Sequence, residues 1–151
     1  MIEKNLYKKI QEVLPICCVD LVIKNSKGEF LLLKRKNEPA KGEWWFVGGR
    51  IEKGETVEKA ALRKAKEEAG LDVALKGILG VGDTIFQRGV FGKSAHTVNI
   101  TFLAFAKTKK VKIDDQSNCY KWFKKIDKKF NPYIKQFLSV NSTAKHIKLI
   151  N

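Results

Sequence analysis

Apolar residues at the start of the chain recur at helical spacing. Ile2, Leu6, Ile10 and Val13/Leu14 alternate with lysines and glutamates, which predicts a short amphipathic helix stopped near Pro15. The pattern then changes to a nearly continuous apolar run. Ile16–Ile23 predicts a strand, Asn25-Ser26-Lys27-Gly28 a tight turn, and Glu29–Lys34 a second strand closing a hairpin. Lys36–Trp45, with Pro39 and Gly42, reads as a loop. Trp44 to Val47 is a short apolar strand leading into Gly48-Gly49. After a further loop at Ile51–Glu55, Thr56 suits a helix N-cap, with Glu58 and Lys59 in the first turn. That helix should run to about Ala69 on the apolar residues Val57, Ala60, Ala61, Leu62 and Ala65, with Gly70 left-handed beyond it.

The second half reads mostly as strand. Leu71–Phe86 predicts one or two strands broken at Gly80-Val81-Gly82, and Arg88–Ala95, with Gly89 and Gly92, a mobile loop. His96–Ala106 predicts a strand, Lys107–Asn118 a basic then acidic connection, and Tyr120–Phe123 a short strand. Asn131-Pro132 opens a last helix through Phe137 and Leu138, and the final dozen residues are polar and expected to fray. There is no internal repeat and no low-complexity linker. The 151 residues read as a single domain, 1–151, large enough to bury about 70% of the surface of its unfolded chain.

Composition adds compartment and partners. Cys17, Cys18 and Cys119 are odd in number, and two are adjacent in an apolar strand, so a reducing cytoplasm fits them better than disulfides or zinc. Met1–Leu14 has no apolar core of the kind a secretory leader needs, and no run approaches the ~20 apolar residues of a membrane span. A membrane partner is therefore not expected. The net charge of +14 suits nucleic acid, an anionic membrane or a small anionic substrate. The cations are 26 lysines scattered along the chain and only Arg35, Arg50, Arg63 and Arg88, and bidentate phosphate recognition favours arginine. The Lys107–Lys112 and Lys121–Lys129 clusters lack interleaved arginines, so they read as solvated faces and nucleic acid is not the expected partner.

The chemistry concentrates in residues 48–71. Gly48-Gly49 lets a backbone approach a ligand or metal closely. The helix that follows carries Arg63, Glu67 and Glu68 near its end, with Arg63 and Glu67 on one face. Adjacent carboxylates are costly to desolvate unless a cation joins them, and oxygen ligands suit magnesium. A solvated helix with Lys/Glu pairs would carry the same residues. The spacing separates the two readings: five residues lie between Gly49 and Glu55, seven more precede Arg63, and Glu67-Glu68-Ala69-Gly70-Leu71 follow.

This arrangement resembles the Nudix box: glycine, five residues, glutamate, seven residues, then Arg-Glu-apolar-any-Glu-Glu-any-Gly-apolar. It departs at one defined position, where Lys64 replaces the first glutamate of the Arg-Glu pair. Lys64 lies four residues before Glu68 on the same face, so fewer metal ions are expected than the full pattern holds. The resemblance implies a Nudix α/β/α sandwich, a mixed sheet between helices, and a hydrolase dependent on Mg²⁺, with Mn²⁺ as the alternative ion.

The flanks resemble the GDP-mannose mannosyl hydrolase branch of that family. They are Pro15-Ile16-Cys17-Cys18-Val19-Asp20, Asn25-Ser26-Lys27-Gly28-Glu29-Phe30 through Lys34-Arg35, Pro39-Ala40-Lys41-Gly42 with Trp44, and Asp114-Asp115-Gln116. That branch also lacks the glutamate after the box arginine, and it cleaves the bond between the sugar anomeric carbon and the diphosphate. By resemblance Gly48, Glu68 and Gln116 bind Mg²⁺, Arg35 near Asp20 stabilises the departing diphosphate, and Arg63 holds the site. A homodimer is expected on the same ground. The branch's histidine base is replaced by Ser117, too weak a group to deprotonate water. Asp20, Arg35, Arg63 and Glu67 are the candidate catalytic residues. Gly48, Glu67, Glu68 and Gln116 are the candidate metal ligands, and Arg35, Arg50, Trp44 and His96 the candidate substrate contacts. His96 reads equally as a packed residue, Arg50 as solvated, and at least two of Trp44, Trp45 and Phe46 as core. The expected substrate is a nucleotide sugar such as GDP-mannose. The alternatives are a nucleoside triphosphate or ADP-ribose cleaved at P–O, and nucleotide binding without turnover.

Overall fold

The computed structural model describes residues 2–140; the polar tail and His146 lie outside the described residues. Chain order is α1 (Lys4–Val13), β1 (Ile16–Lys24), β2 (Phe30–Arg35), β3 (Trp44–Trp45), β4 (Val47–Arg50), α2 (Val57–Ala69), β5 (Val73–Phe86), β6 (Ala95–Ala106), β7 (Ser117–Phe123) and α3 (Pro132–Leu138). The seven strands form one mixed sheet with the central path β3-β2-β1-β6-β5; β4 pairs with β1 and β7 with β2. β1 and β6 run parallel, and the other pairs are antiparallel.

Helices cover both faces, as the resemblance implied. On one face the alanines of α2, Ala60, Ala61, Ala65 and Ala69, meet Val19, Leu21, Ile23, Leu31, Leu33 and Val47. Alanine there brings the helix axis close to the sheet, and all four are fully buried. On the other face Tyr133, Ile134 and Phe137 of α3 pack with Val22, Leu32, Trp45, Phe46 and Leu103. α2 starts at Thr56, whose hydroxyl accepts from Lys59 N at 3.3 Å, and ends at Gly70, left-handed with φ 65°. Asn131 caps α3, its side chain accepting from Tyr133 N at 3.0 Å.

Three strand expectations change in the tertiary structure. The β1–β2 hairpin pairs only at its turn, Lys24 with Phe30; along Cys18–Leu21 that edge of β1 is taken by β4 instead. β2 diverges to pair with β7 and β3, and this divergence opens the interior toward Asp20 and Arg35. Gly80-Val81-Gly82 does not break β5, which follows β6 without interruption through register shifts between Leu75 and Gly80. The glycines serve packing: a Cβ on Gly82 would stand 3.1 Å from the Phe137 ring, and one on Gly80 3.3 Å from it. Trp44–Val47 is likewise two short strands separated at Phe46, because β3 pairs with β2 and β4 with β1.

The three thiols differ in environment. Cys18 is buried and pushed up to about 12, chiefly by that burial, whereas Cys17 and Cys119 are exposed. The thiolate is the nucleophile. Iodoacetamide should therefore alkylate Cys17 and Cys119 in the native protein and reach Cys18 only after denaturation, as peptide mass spectrometry would show.

Candidate active site

A cavity opens between the diverging strands and the C-terminal half of α2. Asp20, Arg35, Gly48, Gly49, Lys64, Glu68 and Gln116 all line it. Each arrives on a different support. Asp20 lies mid-strand in β1 opposite Gly48 of β4. A Cβ on Gly48 would stand 2.2 Å from Asp20 Oδ1 and 2.3 Å from the Val19 carbonyl oxygen, so only glycine permits this approach. The Gly48 N–H then donates to Glu68 Oε2 at 3.2 Å, joining the glycine pair to α2.

Arg35 ends β2 and is held by the loop after it. Its Nε donates to the Pro39 carbonyl at 2.6 Å, and its backbone bonds with Glu43 and Gly42 at 3.0 and 2.9 Å. Lys36 N donates to the Gln116 carbonyl at 3.0 Å, which ties the start of β7 to the arginine. Asp114 fixes Gln116 through its backbone N–H at 3.0 Å and side-chain Nε2 at 3.1 Å. β5 and β6 contribute a polar floor. Thr84 and Thr97 share a hydroxyl hydrogen bond of 2.7 Å, and Asn99 Nδ2 donates to Thr84 at 3.3 Å.

Burial dominates the electrostatics. Asp20 is raised from 3.8 to about 7, first by desolvation; the Tyr133 hydroxyl, donating to its Oδ2 at 2.7 Å, pulls the other way. Tyr133 also bonds Thr101, so a buried polar chain runs from the cavity wall to α3. Glu68 is likewise raised by burial, with the Lys64 ammonium and the Gly48 N–H opposing. Lys64 Nζ stands 3.5 Å from Glu68 Oε1 and 3.2 Å from Glu67 Oε2.

Five expected site residues therefore share one cavity: Asp20, Arg35, Gly48, Glu68 and Gln116. Others stand apart. Arg63 clamps the box loop to the helix: its Nε donates to Glu55 Oε2 at 3.0 Å, Nη1 to Glu67 at 3.0 Å and Nη2 to the Arg50 carbonyl at 3.1 Å. Glu67 is half exposed, paired to Arg63 and Lys64, and does not line the cavity. Arg50 lies 4.7 Å from the Tyr7 ring and lines a separate depression with Ile51 and Glu52.

Strand alternation places two more positions outside this cavity. Trp45 faces the cavity, while Trp44 turns outward onto Phe123 at 5.1 Å between ring centroids. Ala95 and Thr97 line the cavity, so His96 between them does not; its Nε2 stands 3.6 Å from Asp83 Oδ2. Sequence reasoning missed Tyr133 and the Thr84, Thr97 and Asn99 floor. The Thr97-x-Asn99-x-Thr101 alternation, polar where β6 faces inward, was the available signal for the floor. Nothing local marks Tyr133, which reaches Asp20 across 113 positions of sequence.

Comparison with known proteins gives the family. The family model "NUDIX domain" matches residues 17–135. The chain belongs to the Nudix family and is a hydrolase. A relative from Haloferax volcanii, the low-salt glycan biosynthesis protein Agl8, is 35% identical over 128 residues, covering 82% of this chain and 80% of its own. An ADP-ribose pyrophosphatase of Methanocaldococcus jannaschii is 45% identical over 82 residues, 54% of this chain and 48% of that protein. The chain thus matches about half the length of that enzyme. The crystal structure of a MutT Nudix hydrolase from Burkholderia pseudomallei superposes with a TM-score of 0.68 at 28% identity, covering 83% of this chain and 97% of the other.

Asp20 makes stability depend on pH. Its native value near 7 lies above the ordinary 3.8, so the folded state binds the proton more tightly. Stability from this group is complete below about pH 4 and declines as pH rises toward 7, by on the order of 4 kcal/mol. Asp20→Asn removes the decline. In thermal melts without divalent ions, the variant's Tm should gain on the wild-type Tm between pH 5 and pH 8; parallel profiles would contradict the assignment.

Proposed function

We propose that the protein hydrolyses a nucleoside diphosphate derivative, foremost a nucleotide sugar such as GDP-mannose, with a divalent cation at Glu68. The convergence of Asp20, Arg35, Gly48, Glu68 and Gln116 on one cavity carries this reading. The polar floor of Thr84, Thr97 and Asn99 favours a sugar, since hydroxyls and an amide match a polyol better than an apolar ring. The glycan biosynthesis assigned by name to the Haloferax relative points the same way.

The residues present suit a hard cation with few protein ligands. No group of three or more His, Cys, Asp or Glu converges among the described residues. The cavity instead offers the Glu68 carboxylate, with Gly48 bonded to it and Gln116 elsewhere in the lining, as candidate oxygen ligands. Magnesium is commonly held by one or two carboxylates, waters and substrate phosphates, so this set fits Mg²⁺, or Mn²⁺ in its place. When bound, the ion neutralises charge developing on the diphosphate. Arg35, held by the Pro39 carbonyl, would add to that neutralisation.

In the preferred reaction water attacks the anomeric carbon and the bond from that carbon to the diphosphate oxygen breaks. Its electron pair leaves with the nucleoside diphosphate, and Asp20 takes the proton lost by water. Arg63 acts through position, anchoring the box loop. A panel of GDP-mannose, other nucleotide sugars, nucleoside triphosphates and ADP-ribose with Mg²⁺ tests the proposal. Nucleotide sugars should be turned over fastest. Glu68→Gln and Arg35→Ala should each lower kcat by roughly 10²–10³-fold, and hydrolysis in ¹⁸O water should label the sugar. Turnover confined to ADP-ribose or triphosphates, with label in phosphate, would replace this reading with P–O cleavage. Absence of turnover, or Glu68→Gln at the wild-type rate, would end it.

A further inference from the structure

The Lys64 ammonium occupies the acidic end of the cavity. Its side chain is only 15% exposed, and it contacts Glu67 Oε2 and Glu68 Oε1 at 3.2 and 3.5 Å. Its stem also packs against Gly49. A Cβ on Gly49 would meet Lys64 Cε at 2.9 Å and Nζ at 3.3 Å, so that glycine leaves room for the lysine stem. Arg63 Nη1 donates to the same Glu67 Oε2 at 3.0 Å, so the arginine and the lysine share that oxygen. Two carboxylates, a covering glycine and a clamping arginine thus form a built seat for one positive charge.

We propose that Lys64 is a tethered cation standing where a second divalent ion would otherwise be held, so that the site takes one divalent ion per chain. This rests on Glu68 being a metal-binding carboxylate. An ammonium and a divalent ion compete for the same carboxylate oxygens, and like charges repel strongly at this separation in a partly buried site. Glu67 is consumed by Arg63 and Lys64, which leaves Glu68 as the box carboxylate turned to the cavity. The replacement changes the chemistry as well as the count. An ammonium neutralises phosphate charge but, unlike a bound divalent ion, does not acidify water. Lys64 thereby strengthens departure of the diphosphate rather than activation of the nucleophile, the balance that cleavage at carbon requires.

Titration with Mn²⁺ alone, reading free ion by electron paramagnetic resonance, tests the count without substrate. Wild-type protein should bind one ion per chain. Lys64→Met should bind that ion about tenfold more tightly, and Lys64→Glu should bind two. Lys64→Arg keeps the charge and should keep one ion with Kd within about threefold. If circular dichroism shows Lys64→Met or Lys64→Glu unfolded, the wild-type count and Lys64→Arg decide. A wild-type count of two or more, or of none, overturns the proposal. So does a folded Lys64→Glu that gains no ion, or a Lys64→Arg that gains one. One bound ion without turnover of nucleotide sugars would reject the substrate reading and leave the role of Lys64 standing.

Discussion

The structure turns on the missing side chain at Gly48. β4 approaches β1 so closely there that a Cβ would overlap Asp20 Oδ1 and the Val19 carbonyl. This approach displaces β2 from most of the edge of β1 and opens the cavity between the diverging strands. It also frees the Gly48 N–H to meet Glu68, so one backbone position links β1, β4 and α2. The rest of the box follows from that link. Arg63 reaches back to Glu55 and the Arg50 carbonyl, holding the loop between β4 and α2 against the helix that bears Glu68.

Two carboxylates then share one cavity wall with different partners. Asp20 is raised by burial and accepts from the Tyr133 hydroxyl, which links it to α3 through the core. Glu68 has a lysine ammonium and a backbone N–H within reach. Burial raises both groups, and in each case a donor pulls the other way: a neutral hydroxyl at Asp20, an ammonium and a backbone N–H at Glu68. Both depend on burial, so both depend on the sheet divergence that creates the cavity.

The excess of positive charge takes little part in this. Among the described lysines, Lys64 alone lines the cavity; Arg35 is the arginine there. Many other lysines lie on exposed surface, where an ion pair such as Lys66–Asp72 at 3.0 Å contributes little to stability. The charge at the cavity is a matter of two partly buried positions rather than of the net +14.

The sequence by itself determined the box and its punctuation. Thr56 and Gly70 bound α2 through local capping, and the 49–71 spacing identifies the family because each residue's role depends on helix period and turn geometry. It also shows Lys64 where the Nudix box usually has a carboxylate. Tertiary structure decided which residues meet. Trp45 rather than Trp44 lines the cavity and His96 turns away, because strand alternation is read correctly only once the register with neighbouring strands is known. Tyr133 reaches Asp20 because α3 packs over glycines 80 and 82, a long-range contact that no local periodicity encodes. Gly48 joins the two levels: a glycine is plain in the sequence, but the atoms it makes room for belong to a strand 28 positions earlier.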